Sequence, residues 1–310
     1  MNRPALVIPA DGEGAALHVQ VNPLYSLYHY LAKRMPAEQR PTALAEAAMT
    51  TVIARFPIGA HGAWDEWELP VARAETLEAA VSGMKAAMRE TAEQIGVALR
   101  QAERVYREEI WPERLPRIEA ALTILRERLA PSFPAMVRAQ AENLGLVFPP
   151  RIDAFLVADC YDRRGGYSHP LTLDVTLLHG LDLCETVIHE ATHLAERHTR
   201  WTVEREGLGD RLRAYLAAHG MTSNQLHDVA HAVLFAASAA QVRSFIDSHH
   251  VDYALTHNAP DNTLYSWFKM PRLPEIWAAF AAGALAEPAL FDALCRERFA
   301  AEPPARTGLA

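Results

Sequence analysis

Cysteine is scarce: Cys160, Cys184 and Cys295 are the only three in 310 residues. They show neither pairing nor metal-ligand spacing, which argues against a disulfide scaffold and fits a reducing compartment. Cys184 reads as a small buried filler rather than an activated thiol. Basic charge is also short. The net charge is −8, with no basic patch and no series of base-stacking aromatics, so no nucleic-acid partner is expected. Long apolar runs are missing as well. The longest, Val229 to Val242 and Trp277 to Ala286, cannot span a bilayer, and the stretch after Met1 is too short for a signal peptide. The expectation is a cytoplasmic protein with no membrane partner. No internal repeat is evident. What the chain does have is apolar residues, 50% of the total, enough to build a large core in one elaborate domain or two closely joined ones.

The first half reads as helical. Asn22-Pro23 precedes a predicted helix over Leu24–Arg34, where Tyr25, Tyr28 and Leu31 share a packing face. After the breaks at Pro36 and Pro41 a second helix is expected over Thr42–Arg55. Phe56–Pro70, with Gly59, Gly62, Trp64 and Trp67, lacks periodicity and reads as a loop or lid. Apolar residues then recur at helical spacing from Thr76 to Trp111 without an internal proline, which predicts one long helix. Helices over Pro112–Leu129 and Pro131–Leu144 follow.

Arg151–Ala158 and Leu171–Leu178 have strand character, and Asp162–Tyr167 reads as the tight turn of an antiparallel pair. The chain therefore divides into a mainly helical region over 1–150, a second region over 151–300 and a frayed tail over 301–310.

Directly after the second strand and the His179-Gly180 turn comes His189-Glu190-Ala191-Thr192-His193. Imidazoles four residues apart on a helix share a face and can reach one tetrahedral metal ion, with the adjacent glutamate beside the ion's open position. Asp182 and Glu185 have the spacing of a capping box that starts the run Leu183–His198. Leu183, Val187, Ala191 and Leu194 form an apolar stripe, which leaves His189, His193 and Glu196 on a neighbouring face at i, i+4, i+7.

Strand, turn and HExxH helix together resemble the active-site layout of zincin metallopeptidases over about residues 152 to 255. The resemblance implies an α+β, predominantly helical fold with a small antiparallel sheet whose edge strand flanks the motif helix and holds an extended substrate. It implies Zn²⁺ on His189 and His193, Glu190 as the general base, and a peptide or related amide as substrate. The third ligand departs from the family's patterns. Where a metzincin has its third histidine the chain has Thr199, with His198 one residue short and Glu196 where glycine is expected. The gluzincin glutamate is absent too, because no glutamate lies between Glu206 and Glu275, leaving only Glu204 and Glu206. The following helix offers His231, whose ring must find polar partners at the start of a very apolar run, with His227 as substitute and Asp228 as an orienting acceptor. Tyr253, Arg243 and His250 are the donors available to an oxyanion, the first two ranked ahead; Tyr167 and His169 are candidates for the cleft wall.

Two other readings compete. Glu190-x-x-His193 and Asp228-x-x-His231 resemble half of a di-iron carboxylate site, to which Glu78, Glu93 or Glu119 would add carboxylates. A non-catalytic helical interaction protein would instead close its metal shell with a fourth protein ligand.

Overall fold

The computed structural model describes residues 5–12, 14–32, 64–85, 89–159, 165–203, 206–256 and 263–301. The helix expected over Thr42–Arg55 and nearly all of the expected tail lie outside them. The fold is α+β and predominantly helical, with one five-stranded sheet among the described residues. Two compact units interleave along the chain. The first comprises Met1–Ala10, Ala16–Ala130 and Arg151–Leu183; the second comprises Asp11–Ala15, Pro131–Pro150 and Cys184–Ala310. The helix before residue 150 groups with the second unit, and the strands after it group with the first.

The first unit carries the sheet, built from β1 (Ala5–Ile8), β2 (Ala16–Val21), β3 (Arg151–Val157), β4 (Gly166–Ser168) and β5 (Leu171–Asp174). Their spatial order is β1-β2-β3-β5-β4. β1 is antiparallel to β2, β2 and β5 are both parallel to β3, and β4 is antiparallel to β5. The sheet is therefore mixed, not antiparallel. The cause is the short strand β4, unforeseen in a segment read as a turn, which reverses the chain once more and brings β5 back alongside β3. β5 consequently lies inside the sheet and not at its edge. All four of its residues are buried, so the polar members of its alternation need partners rather than solvent. Thr172 Oγ1 donates to the Pro170 carbonyl at 2.9 Å, and Asp174 Oδ1 accepts from the Thr176 backbone at 2.8 Å.

Helix α1 (Pro23–Ala32) packs on this sheet through Tyr25, whose ring meets Phe155 edge-on at 5.7 Å. Tyr25 and Leu31 are buried, as the packing-face reading expects. The Tyr25 hydroxyl also lies 2.9 Å from Tyr167 and 3.1 Å from Glu68, and Tyr167 donates to Glu68 and approaches His29. Tyr167 is thus spent within a buried polar network.

The last part of the segment read as a loop is helical: α2 spans Trp64–Arg73. The single helix expected from Thr76 onward is instead two, α3 (Leu77–Lys85) and α4 (Arg89–Val105), packed against each other. Glycine permits this. A Cβ on Gly96 would meet Val81 at 2.5 Å, and one on Gly83 would meet Pro70 at 2.7 Å. α4 runs through a π-helical turn at Tyr106–Ile110 into α5 (Trp111–Ile124), where Pro112 and Pro116 remove backbone donors and the ladder widens.

The second unit is helical. Its members are α6 (Phe133–Leu144), α7 (Leu181–His198, from Cys184 onward), α8 (Leu208–Ala218), α9 (Ser223–Phe245), the short α10 (Tyr253–Thr256) and α11 (Leu264–Trp267), α12 (Leu273–Ala281) and α13 (Glu287–Ala301). α9 is buried nearly all round from Val229 to Val242 and packs against α6, α8 and α12, as an apolar helix at the centre of a bundle must. Among the described residues no helix is long and apolar enough to cross a membrane.

Candidate metal centre

α7 forms over the predicted range, with Leu183, Val187 and Ala191 buried. Its start differs from the capping-box expectation. The helix begins at Leu181, so Asp182 lies in the first turn, where its charge suits the helix dipole. Glu185 is 1% exposed, and its Oε2 accepts from His250 Nε2 at 2.6 Å and from the Tyr253 backbone at 2.9 Å.

α9 starts at a true capping box. Thr222 Oγ1 accepts from the Gln225 backbone, and Gln225 Oε1 accepts from the Thr222 backbone at 2.9 Å. Just over two turns in, this helix places His231 beside His189 and His193. Ring centroids are separated by 4.9 Å (His189–His193), 5.0 Å (His189–His231) and 5.0 Å (His193–His231). One ring nitrogen from each lies within 4.8 Å of the others, and the Nε2 atoms of His189 and His231 are 3.0 Å apart.

A tetrahedral ion with Zn–N bonds of about 2.0–2.1 Å sets neighbouring ligand nitrogens about 3.4 Å apart, so the triangle fits. Its donor chemistry fits too: three imidazoles suit zinc and other first-row divalent ions. No carboxylate belongs to this donor group, whereas a di-iron site requires several.

His189 is 1% exposed, and Phe235 stacks on its ring at 3.9 Å. No well-formed hydrogen bond reaches its buried Nδ1, and the Leu234 backbone gives the ring only a weak one. Burial, and then the charges of His193 and His231, push its pKa well below the ordinary imidazole value, with the Leu234 carbonyl opposing. The ring is therefore neutral at neutral pH, the form that ligates. His193 and His231 are half-buried, so the triangle is reached past these two rings. Burial alone would lower the pKa of His193. The hydrogen bond to Glu196, together with the charges of Glu190 and Glu196, outweighs that and leaves it raised.

His193 Nδ1 meets Glu196 Oε2 at 3.4 Å, and Arg213 of α8 lies 3.6 Å from the other carboxylate oxygen. Burial opposes the charged form of Glu196, but His193, Arg213 and Arg200 more than compensate, and its pKa is lowered. The i, i+4, i+7 face put Glu196 beside the motif, yet its role as a partner of His193 was not read from it. The i, i+3 step from His193 was the available signal.

Glu190 is 6% exposed and its charge acts on His193. Tyr253 is 4% exposed, and its ring stacks with Phe235 at 6.5 Å, one ring removed from His189. Arg243 is not brought to the triangle. It lies twelve residues beyond His231 on α9, a rise of about 18 Å, and is paired with Asp252, a buried carboxylate that needs a counter-charge.

His227 is exposed, with its ring 5.5 Å from that of His231 and outside the donor group. Neither His198 nor Asp228 belongs to that group; Glu206 is exposed, and Glu204 lies outside the described residues. Thr199, at the metzincin position, is 1% exposed and ties down the backbone of Val147: its Oγ1 accepts from the amide at 2.7 Å and donates to the carbonyl at 3.2 Å.

No protein-family model matches this chain, and no curated protein or solved structure matches it.

Proposed function

We propose that this protein is a zinc-dependent hydrolase that cleaves a peptide or related amide bond. The observation that carries the reading is the near-equilateral triangle of His189, His193 and His231, with Glu190 next to His189 in the chain and its charge acting on His193. Three protein ligands leave a tetrahedral ion one position for solvent or substrate, the mark of a catalytic rather than a structural zinc. When bound, the ion supplies Lewis acidity, acidifying a water and polarising the carbonyl under attack.

The chain's own groups do the rest. Glu190 takes the proton from the attacking water and delivers it to the departing nitrogen. Neutral His189, stacked on Phe235, holds its place without competing for that proton. Tyr253, packed on the same Phe235 ring, is the donor assigned to the oxyanion. Arg243 is committed to Asp252 and is withdrawn from that role.

Metal analysis of the purified protein beside His189→Ala tests the reading. The expected result is close to one zinc per chain, lost on substitution. Zinc retained unchanged in the variant would contradict it.

A further inference from the structure

Glu196 lies on the same helix as the two histidines of the motif, and its surroundings are built around its carboxylate. One oxygen meets His193 Nδ1 at 3.4 Å. The other lies 3.6 Å from Arg213, in the notch left by the bare backbone of Gly209. A Cβ at Gly209 would come within 2.6 Å of that oxygen. The carboxylate side chain is 13% exposed. A group so confined has few rotamers left, and the imidazole it faces is half-buried, without the Phe235 ring that lies against both His189 and His231. We propose that Glu196, fixed by Arg213 and by the absence of a side chain at Gly209, is a positioning residue that accepts the Nδ1 proton of His193 and thereby aims its Nε2 lone pair at the metal.

The inference rests on the metal reading above and goes one shell beyond it. Imidazole has two tautomers, and only the one protonated at Nδ1 can ligate through Nε2. A carboxylate on Nδ1 selects that tautomer, fixes the ring plane and makes the ligating nitrogen more basic. His189 is held differently, by burial and the Phe235 stack, so the two motif histidines depend on different supports. Removing Glu196 should therefore weaken metal binding without removing a ligand.

Zn²⁺ alone is the probe, titrated against a chromophoric chelator with the full chain. Glu196→Ala is expected to lower zinc affinity by about 10- to 100-fold, and Glu196→Gln, which keeps an acceptor oxygen, is expected to recover much of the loss. Gly209→Ala pushes the carboxylate aside while leaving every donor in place, and it should weaken binding as well. Glu287→Ala, which removes a carboxylate paired with Arg211 rather than with Arg213, should bind zinc as the wild type does. Long-range ¹H–¹⁵N spectra of the zinc-loaded protein should show His193 protonated at Nδ1, with that signal shifted or lost in Glu196→Ala. Wild-type affinity in Glu196→Ala, or a loss that Glu196→Gln does not relieve and that only mirrors a fall in the metal-free melting temperature, overturns the positioning role while the metal reading stands. A wild-type protein that binds no zinc overturns both.

Discussion

His231 and His227 stand one turn apart on α9, yet only His231 has a ring nitrogen within reach of His189 and His193. Substituting each with alanine separates them. His231→Ala is expected to lose stoichiometric zinc, and His227→Ala to keep it; retention by both variants would displace His231 from the ligand set. Glu190 makes a different demand, because it contributes no donor to the triangle. Glu190→Gln should bind zinc like the wild type while turnover of a susceptible peptide falls by about 100- to 10,000-fold, the range for losing a general base. Unaltered turnover removes that assignment. Acidity is felt unequally by the three rings. At His193, whose pKa is raised by Glu196 and Glu190, a proton competes with the metal for the ring nitrogen before it does so at His189, whose pKa is pushed down. As the pH is lowered, zinc affinity is therefore expected to begin falling above the ordinary imidazole value of about 6.5, because the His193 pKa is raised, and to be lower by about tenfold or more at about pH 5.5. A flat titration over that range contradicts the ligand assignment.

The elements that hold the centre were legible to different degrees. α7 was readable because Leu183, Val187 and Ala191 mark one face and the histidines another. α9 was readable from its apolar run, and His231 from the cost of placing an imidazole in it. What the sequence did not show depends on contacts between distant residues. Alternation in Leu171–Leu178 signals a strand but not its neighbours, and Thr172 and Asp174 look solvent-facing until their buried partners are known. The break between α3 and α4 carries no proline; it is the packing of Gly96 on Val81 that marks it. Glu185 has capping-box spacing from Asp182, but burial directs it to His250 and Tyr253. The start of α9 offers a test at this scale. Thr222→Ala removes the cap oxygen and should cost about 1 kcal/mol of stability, read from denaturant midpoints with zinc affinity nearly unchanged. Leu234→Ala, truncating a side chain 3% exposed on the turn after His231, should cost about 2–5 kcal/mol and loosen the metal site with it. Equal, negligible losses in the two variants would show that α9 is not the central support of the second unit.

At the scale of the whole molecule, a metal held by the histidine triad would act as a ligand of the folded state. Its three donors converge only when α7 and α9 are in place, so zinc at about a thousandfold its dissociation constant should add about 4 kcal/mol of stability. For a unit of this size that corresponds to a rise in melting temperature on the order of 10 °C, reversed by a chelator and absent in His189→Ala. Superimposable melting curves with and without chelator would mean that folding and metal binding are uncoupled. The sheet and the histidine triad belong to different compact units, so substitutions in β5 are expected to leave zinc affinity intact where substitutions in α9 do not. The most direct test of the central claim is X-ray absorption at the zinc edge of the loaded protein. Three imidazole nitrogens and one light solvent atom at about 2.0–2.1 Å are expected. A sulfur shell, or a six-oxygen shell without imidazole scattering, would contradict it.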